Sequence, residues 1–317
     1  MSDETPSEAQ HVSCQLRDTC DIVFCWGMRK MKIYLFLFIF LFSMGQNCLS
    51  QESATVSDQA KLKEILKKTA TYCERLKTMA LDFICNENIK EETHNYRRVD
   101  TIAISEVSSA TRFVTTGLKF KNKKTKSYIY DYQMIKKGDA QEEKRILLQE
   151  GEKKKRVENA ELKIERFKAQ FIVFGPVGFL SRYWQRHFNY EIIGQDEING
   201  NKTIIISATP TEQREENYNF GKIWVDENDF SIIKIEWDPT HIPGFVGKSS
   251  TAAGNIKSSY SWAVFYEVEK NGVRFPSRQI IEETLTTQTG KEHPRYLATF
   301  VYDEYKFFTV QVEVKHD

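Results

Sequence analysis

The chain has 317 residues, 40% of them hydrophobic and 13% aromatic, which supplies a sizeable core and excludes a disordered polymer. Lys and Arg number 45 against 44 Asp and Glu, a formal charge of +1, so the charge as a whole draws the protein toward neither nucleic acid nor an acidic partner.

The first informative stretch is MRKMKIYLFLFIFLFSMGQNCLSQES, beginning at Met28. A basic start (Arg29, Lys30, Lys32), an apolar run from Ile33 to Phe42 and a small-residue exit follow the layout of a secretory signal, with cleavage expected near Ser50. The run is too short to span a bilayer comfortably. A retained anchor is one alternative, and lipidation of Cys48 another, although Gly45-Gln46-Asn47 lack the pattern such a site prefers. Cys14, Cys20 and Cys25 have no zinc-ligand spacing, and translation is expected to start at Met28 or Met31. The chain thus divides into a leader, residues 1–50, and a single domain, residues 51–317, expected in the periplasm or secreted.

From Ser57, a suitable N-cap, Leu62, Ile65, Leu66, Thr69, Tyr72, Cys73, Leu76, Met79 and Ala80 recur with helical periodicity against a Lys- and Glu-rich back. A helix so patterned lies on something apolar. Leu81, Phe83 and Cys85 then alternate with Asp82, Ile84 and Asn86 and open a strand. After export Cys73 and Cys85 are the cysteines that remain, and a disulfide between them is expected. It would close a loop of about 13 residues, worth on the order of 3 kcal/mol. Two buried free thiols are the alternative.

The rest reads mostly as strand: residues 96–107, 111–121, 126–136, 142–149, 188–196, 202–209, 220–226, 230–237, 258–270, 273–285 and 296–314. Asn199-Gly200 and Asn271-Gly272 between such runs are hairpin signals, so the sheet is antiparallel, and Lys137-Gly138-Asp139 marks a third turn. Gly175-Pro176 starts a short helix with Val177, Leu180, Trp184 and Phe188 on one face. DPTHIPGFVGKSSTAAGN, from Asp238, reads as a long loop.

The stretch FGKIWVDENDFSIIKIEWDP, Phe220–Pro239, reads as a hairpin around Asp226-Glu227-Asn228-Asp229. Pairing Val225 with Phe230 and Ile223 with Ile232 puts Trp224, Ile233, Ile235 and Trp237 on the opposite side, and both faces are then apolar. Since an antiparallel sheet with one wet face alternates between apolar and polar, each side of this hairpin requires a cover. The expected fold is mainly β with helices (α+β). A curved antiparallel sheet forms an incomplete barrel, its concave face covered by the N-terminal amphipathic helix and the short lid helix.

The exported helix, the strand ALDFICNENI, the hairpin YEIIGQDEINGNKTIIISATP and above all GKIWVDENDFSIIKIEWDP resemble the outer-membrane lipoprotein carriers and sorting proteins of the LolA/LolB type. The resemblance implies a half-barrel with a helical lid, a hydrophobic cavity, no catalysis and a periplasmic address. This chain departs from it in its length, in the charge of its strands before residue 150, and in offering no counterpart of the arginine that latches the lid.

The six histidines, His11, His94, His187, His241, His293 and His316, make no compact metal motif, and neither a nucleophile elbow nor a phosphate-binding glycine loop occurs. No enzyme activity and no cofactor or metal is expected. The runs KFKNKKTK (119–126) and KKKR (153–156) suit either peripheral contact with anionic lipid or solvated hairpin ends that discourage edge pairing. Candidate ligand-binding residues are Phe174, Phe179, Leu180 and Trp184 on the lid, Trp224, Ile233, Ile235 and Trp237 on the hairpin, and Trp262 on a later strand. Lipid or lipoprotein acyl chains are the expected partners, with Val177, Leu180 and Trp184 filling the cavity until cargo displaces them. The rival reading is an envelope interaction or sensor domain, its half-barrel filled by its own side chains, which binds envelope proteins and no lipid.

Overall fold

The computed structural model describes residues 58–79, 82–104, 112–137, 140–165, 171–211, 221–238 and 256–308. The leader, Ser57, the turn at Gly138 and the loop expected after Asp238 lie outside them. Compactness divides the chain between Val56 and Ser57, and every described residue belongs to the second unit.

Helix α1 (described over 58–79) buries Ile65, Thr69, Tyr72, Cys73 and Leu76, a seam at helical spacing, and turns its lysines and glutamates to water. The strands follow in chain order as β1 (Phe83–Ile104), β2 (Arg112–Lys137), β3 (Ala140–Glu150) and β4 (Lys153–Val157). Next come a 3₁₀ turn (Ile172–Phe174), α2 (Gly175–Leu180), a second 3₁₀ turn (Trp184–His187), β5 (Phe188–Ile198) and β6 (Asn201–Pro210). The remainder is β7 (Gly221–Asp226), β8 (Ile232–Trp237), β9 (Lys257–Phe265), β10 (Val268–Lys270), β11 (Val273–Phe275), β12 (Arg278–Thr286) and β13 (Glu292–Phe307).

Eleven strands make one antiparallel sheet in the order β4-β3-β2-β1-β13-β12-β9-β8-β7-β6-β5, while β10 and β11 pair as a separate ribbon. The sheet is not closed: β4 and β5 remain its edges. Both expected Asn-Gly turns form, with Asn199 and Gly200 at φ 50° and 80° and Asn271 and Gly272 at φ 54° and 72°, the positive angles that a two-residue hairpin turn demands. Where the sequence suggests breaks, β1 and β2 run on as one long ribbon past a bulge at Asn95/Tyr96. Lys121 to Ser127 are all exposed there, so a charged stretch that reads as a turn is a solvated length of strand.

One face of the sheet carries the core. Tyr296, Ala298, Phe300 and Tyr302 of β13 and Ile204, Ile206 and Ala208 of β6 are buried at every second position, and they join Ile65, Tyr72, Cys73 and Leu76 of α1 in one cluster. The β7–β8 hairpin obeys the same rule and corrects the expected pairing. Ile223 pairs with Ile235 and Val225 with Ile232, a bulge intervening, so that Trp237 shares their inner face. Trp224 stands on the other face opposite Lys234, whose ammonium lies 3.9 Å from the ring centre, and donates its indole N–H to Asp196 Oδ2 at 3.0 Å. Lys222 pairs with Glu236 on that side, and the cover that buries Trp224 there is supplied by polar side chains, Lys234 and Asp196 among them.

The expected Cys73–Cys85 disulfide is not formed; both cysteines are free and buried. The helix seam aims Cys73 at α2, where its Sγ lies 3.4 Å from the carbonyl of Pro176. Cys85 pairs with Tyr132 on the sheet and has Tyr305 beside it. Burial raises both thiols above their ordinary range.

Candidate functional site

The approach to the lid is strapped to the sheet by buried polar side chains. Tyr130 Oη accepts the N–H of Lys163 at 3.1 Å, and Glu91 Oε1 accepts the N–H of Glu165 at 2.8 Å and the hydroxyl of Tyr296 at 2.8 Å. Just before the lid, Glu143 Oε1 accepts the N–H of Phe171 at 3.2 Å. Behind this strap Arg145 donates to both oxygens of Glu87, at 2.6 and 3.0 Å, and Tyr302 donates to Glu87 Oε1 at 3.1 Å. Burial alone would lower the Arg145 pKa, but Glu87 and Glu143 overcome it and raise it. Burial pushes the Tyr130 hydroxyl up to about 12.

The lid helix begins with Pro176 in its first turn, pre-set for helix, behind a glycine. That glycine is a fitting requirement: a Cβ on Gly175 would stand 2.5 Å from Tyr266 Oη and 3.3 Å from Trp237 Cζ2. Helix α2 therefore lies directly on the sheet. Phe179 packs on Trp237 with ring centres 4.7 Å apart, Trp237 stacks on Trp262 at 4.7 Å, and Phe188 flanks Phe179 at 5.4 Å. Tyr266 donates its hydroxyl to the carbonyl of Ile172 at 2.8 Å, and Tyr190 donates its own to that of Phe179.

Of the nine candidate ligand-binding residues, Phe179, Leu180, Ile235, Trp237 and Trp262 meet on this inner wall, with Phe174 and Trp184 half-buried against the same core. Trp224 does not join them, being on the outer face, and Ile233 is buried outside that cluster. The wall these residues form is occupied by the protein's own lid. The indole N–H of Trp237 is buried there without an acceptor among the described residues.

An open cavity of about 540 Å³ lies beside the lid, where the N-terminal half of α1 meets the turn after α2. Leu62, Leu66 and Ala70 supply its apolar surface, Lys63, Lys67 and Arg182 its cations, and Gln59 and Gln185 its neutral polar groups. The helical residues come from two adjacent rows at four-residue spacing, 62-66-70 and 59-63-67, which lie side by side on an α-helix. Gln185 fixes the far wall by donating from Nε2 to the carbonyls of Leu66 (2.7 Å) and Leu180 (2.8 Å), so one side chain ties α1 to the end of the lid. Lys63, Lys67 and Arg182 have no ion-pair partner among the described residues, and the neighbouring Glu64 is held by Lys68 at 2.8 Å.

Sequence reasoning missed this groove. Leu62 and Leu66 belong to the helical stripe assigned to the core, and Arg182 and Gln185 match no motif. The available signal was the width of that stripe, which exceeds the seam a helix needs to rest on a sheet. Among the described residues no group of three or more His, Cys, Asp or Glu is placed to hold a metal ion, and no helix is long and apolar enough to cross a membrane.

The resemblance expected from the sequence is met among solved structures. A LolA superfamily protein from Nitrosomonas europaea is 13% identical, the match covering 78% of this chain and 94% of that one, with a TM-score of 0.30. An outer membrane lipoprotein-sorting protein domain from Vibrio parahaemolyticus is 10% identical over 78% of this chain and 95% of that one, with a TM-score of 0.31. The MucA/MucB complex of Pseudomonas aeruginosa is matched at 7% identity over 78% of this chain and 100% of that one, with a TM-score of 0.22. No protein-family model and no curated protein sequence matches the chain.

Proposed function

We propose that the protein is a non-enzymatic envelope binding protein for a molecule carrying an acyl chain, and that the groove between α1 and the lid is where the chain enters. The observation that carries this reading is the pairing of an apolar surface, Leu62, Leu66 and Ala70, with three cations, Lys63, Lys67 and Arg182, around about 540 Å³. That volume falls within the range of small-molecule sites, and each methylene buried in it contributes about 0.8 kcal/mol. The layout suits an acyl tail with an anionic head. Deeper insertion toward Phe179, Leu180, Trp237 and Trp262 requires α2 to swing away, breaking the two Gln185 hydrogen bonds and the Cys73–Pro176 contact. The secretory layout of the leader supports an address in the periplasm or outside the cell.

A hydrophobic fluorescent probe bound by the protein and displaced by dodecanoate tests this. Leu66→Asp should reduce both probe binding and displacement at least tenfold, because it places a carboxylate in the apolar surface while leaving the buried seam intact. Equal binding by wild type and Leu66→Asp, or no probe binding at all, would remove the reading. The packing of Phe179 on Trp237 favours the second reading, an envelope interaction domain filled by its own side chains. That reading gains if native mass spectrometry finds a bound protein and no lipid.

A further inference from the structure

We propose that the turn after the lid, Arg182–His187, with the adjoining Lys63 and Lys67 of α1, is a docking surface for an anionic lipid bilayer. Tyr183 is 57% exposed, the most exposed large side chain of its kind among the described residues. It is not isolated. Its ring centre lies 5.2 Å from Trp184 and 5.2 Å from His187, and Trp184 and His187 are 5.7 Å apart, so three rings are assembled on one turn. The guanidinium of Arg186 sits 5.9 Å from the Tyr183 ring centre. The stretch Ser181–His187 holds two arginines, both exposed, and no acidic residue.

What sets the charges here apart is the company they keep, aromatic rings and an apolar groove. In the lysine runs that stand out in the sequence four cations are paired locally, Lys123 with Glu92 (3.2 Å), Lys126 with Glu165 (2.6 Å), Lys155 with Glu150 (2.6 Å) and Arg156 with Glu158 (2.8 Å), while Lys119, Lys121, Lys124, Lys153 and Lys154 stand on exposed strand without an ion pair among the described residues. Lys63, Lys67, Arg182 and Arg186 have no ion pair among the described residues, and they gather around the ring cluster and the mouth of the groove. Aromatic rings with a polar edge settle at the headgroup level of a membrane, and unpaired cations beside them are drawn to anionic lipid. Arg182 belongs to both features, lining the groove, whereas its neighbours Tyr183 and Arg186 are exposed and do not line it. An amphiphile leaving a bilayer held on this turn would reach the groove without crossing water.

Vesicle flotation of the protein as the cell produces it provides the test, comparing phosphatidylcholine with an equal mixture of phosphatidylcholine and phosphatidylglycerol. Binding is expected to the mixture only, with slowed hydrogen exchange at the backbone amides of Arg182–His187, a readout that contact through another segment would not give. Arg186→Glu should weaken partitioning about thirtyfold, one attraction being replaced by one repulsion, and Tyr183→Ser several-fold. Both side chains are exposed and outside the groove, so dodecanoate should still displace the probe from either variant. Failure of that displacement in wild type, with vesicle binding intact, would remove the proposed function and leave the docking surface standing. Equal binding to both vesicle types, unchanged exchange at Arg182–His187, or variants that bind like wild type would overturn the proposal. Protection of those amides by polyglutamate and not by anionic vesicles would overturn it too, and would point to an acidic protein.

Discussion

Strands β6 to β9 line the inner wall with Ile204, Ile206, Ile223, Val225, Ile235 and Val264, whereas β1 to β3 and β13 line theirs with Glu87, Glu91, Arg145, Tyr130, Tyr132, Tyr296 and Tyr302. Both halves are buried to the same degree, yet they hold the chain above them by different physics. The aliphatic half receives α2 by shape, through the missing Cβ of Gly175 and the stacked rings of Phe179, Trp237 and Trp262. The polar half receives the strap by directed hydrogen bonds to backbone N–H groups, which fix its register as well as its depth. A lid positioned by directional bonds on its approach and by non-directional packing along its body can leave the wall while its anchor stays.

Alkali should break this arrangement most completely. Burial raises the pKa of Tyr132, Tyr302, Tyr305 and Tyr266 well above 10, so the folded state keeps protons that the unfolded chain releases. Their contribution is intact below the unfolded value and is lost as pH rises, about 1.4 kcal/mol per group per pH unit. Circular dichroism should therefore show cooperative unfolding between about pH 10 and 12, with the tyrosine-rich half losing hydrogen-exchange protection first. Native structure persisting beyond that range would mean that these hydroxyls are not sealed.

Arg145→Met, which strands Glu87 as an unpaired buried carboxylate, should cost about 3–5 kcal/mol in denaturant unfolding, and adding Glu87→Leu should return much of it. A double variant as unstable as the single one would show that the pair is not the cause. On the aliphatic side Phe179→Ala should cost about 3 kcal/mol, at the low end for such a truncation because a helix as short as α2 can settle into the space. Gly175→Ala is the milder probe, about 1–3 kcal/mol from overpacking against Tyr266 and Trp237. It should also raise probe binding if α2 is pushed off the wall, and an unchanged melt would contradict the close approach.

How much of this was legible in the sequence follows from the range of the signal. The Asn-Gly turns, the seam of α1 and the alternation of β6 and β13 are local patterns, and the fold class followed from them. The pairing of β7 with β8 was not legible, because the bulge between Trp224 and Val225 shifts the register and sends Trp224 to the outer face while Trp237 goes inward. The deep wall was found in part, since aromatic spacing marks buried faces without saying what fills them. The groove was hidden because Arg182 and Gln185 meet Leu62 and Leu66 only through the tertiary fold, across more than a hundred residues of sequence.

Cys73 and Cys85 lie in separate buried settings. With one thiol against the Pro176 carbonyl and the other beside Tyr305, the described residues are held together by packing and hydrogen bonds without a disulfide. Folding of the described domain therefore needs no thiol oxidation. Both sulfurs are sealed and remain thiols at neutral pH, which also spares the domain from mixed disulfides.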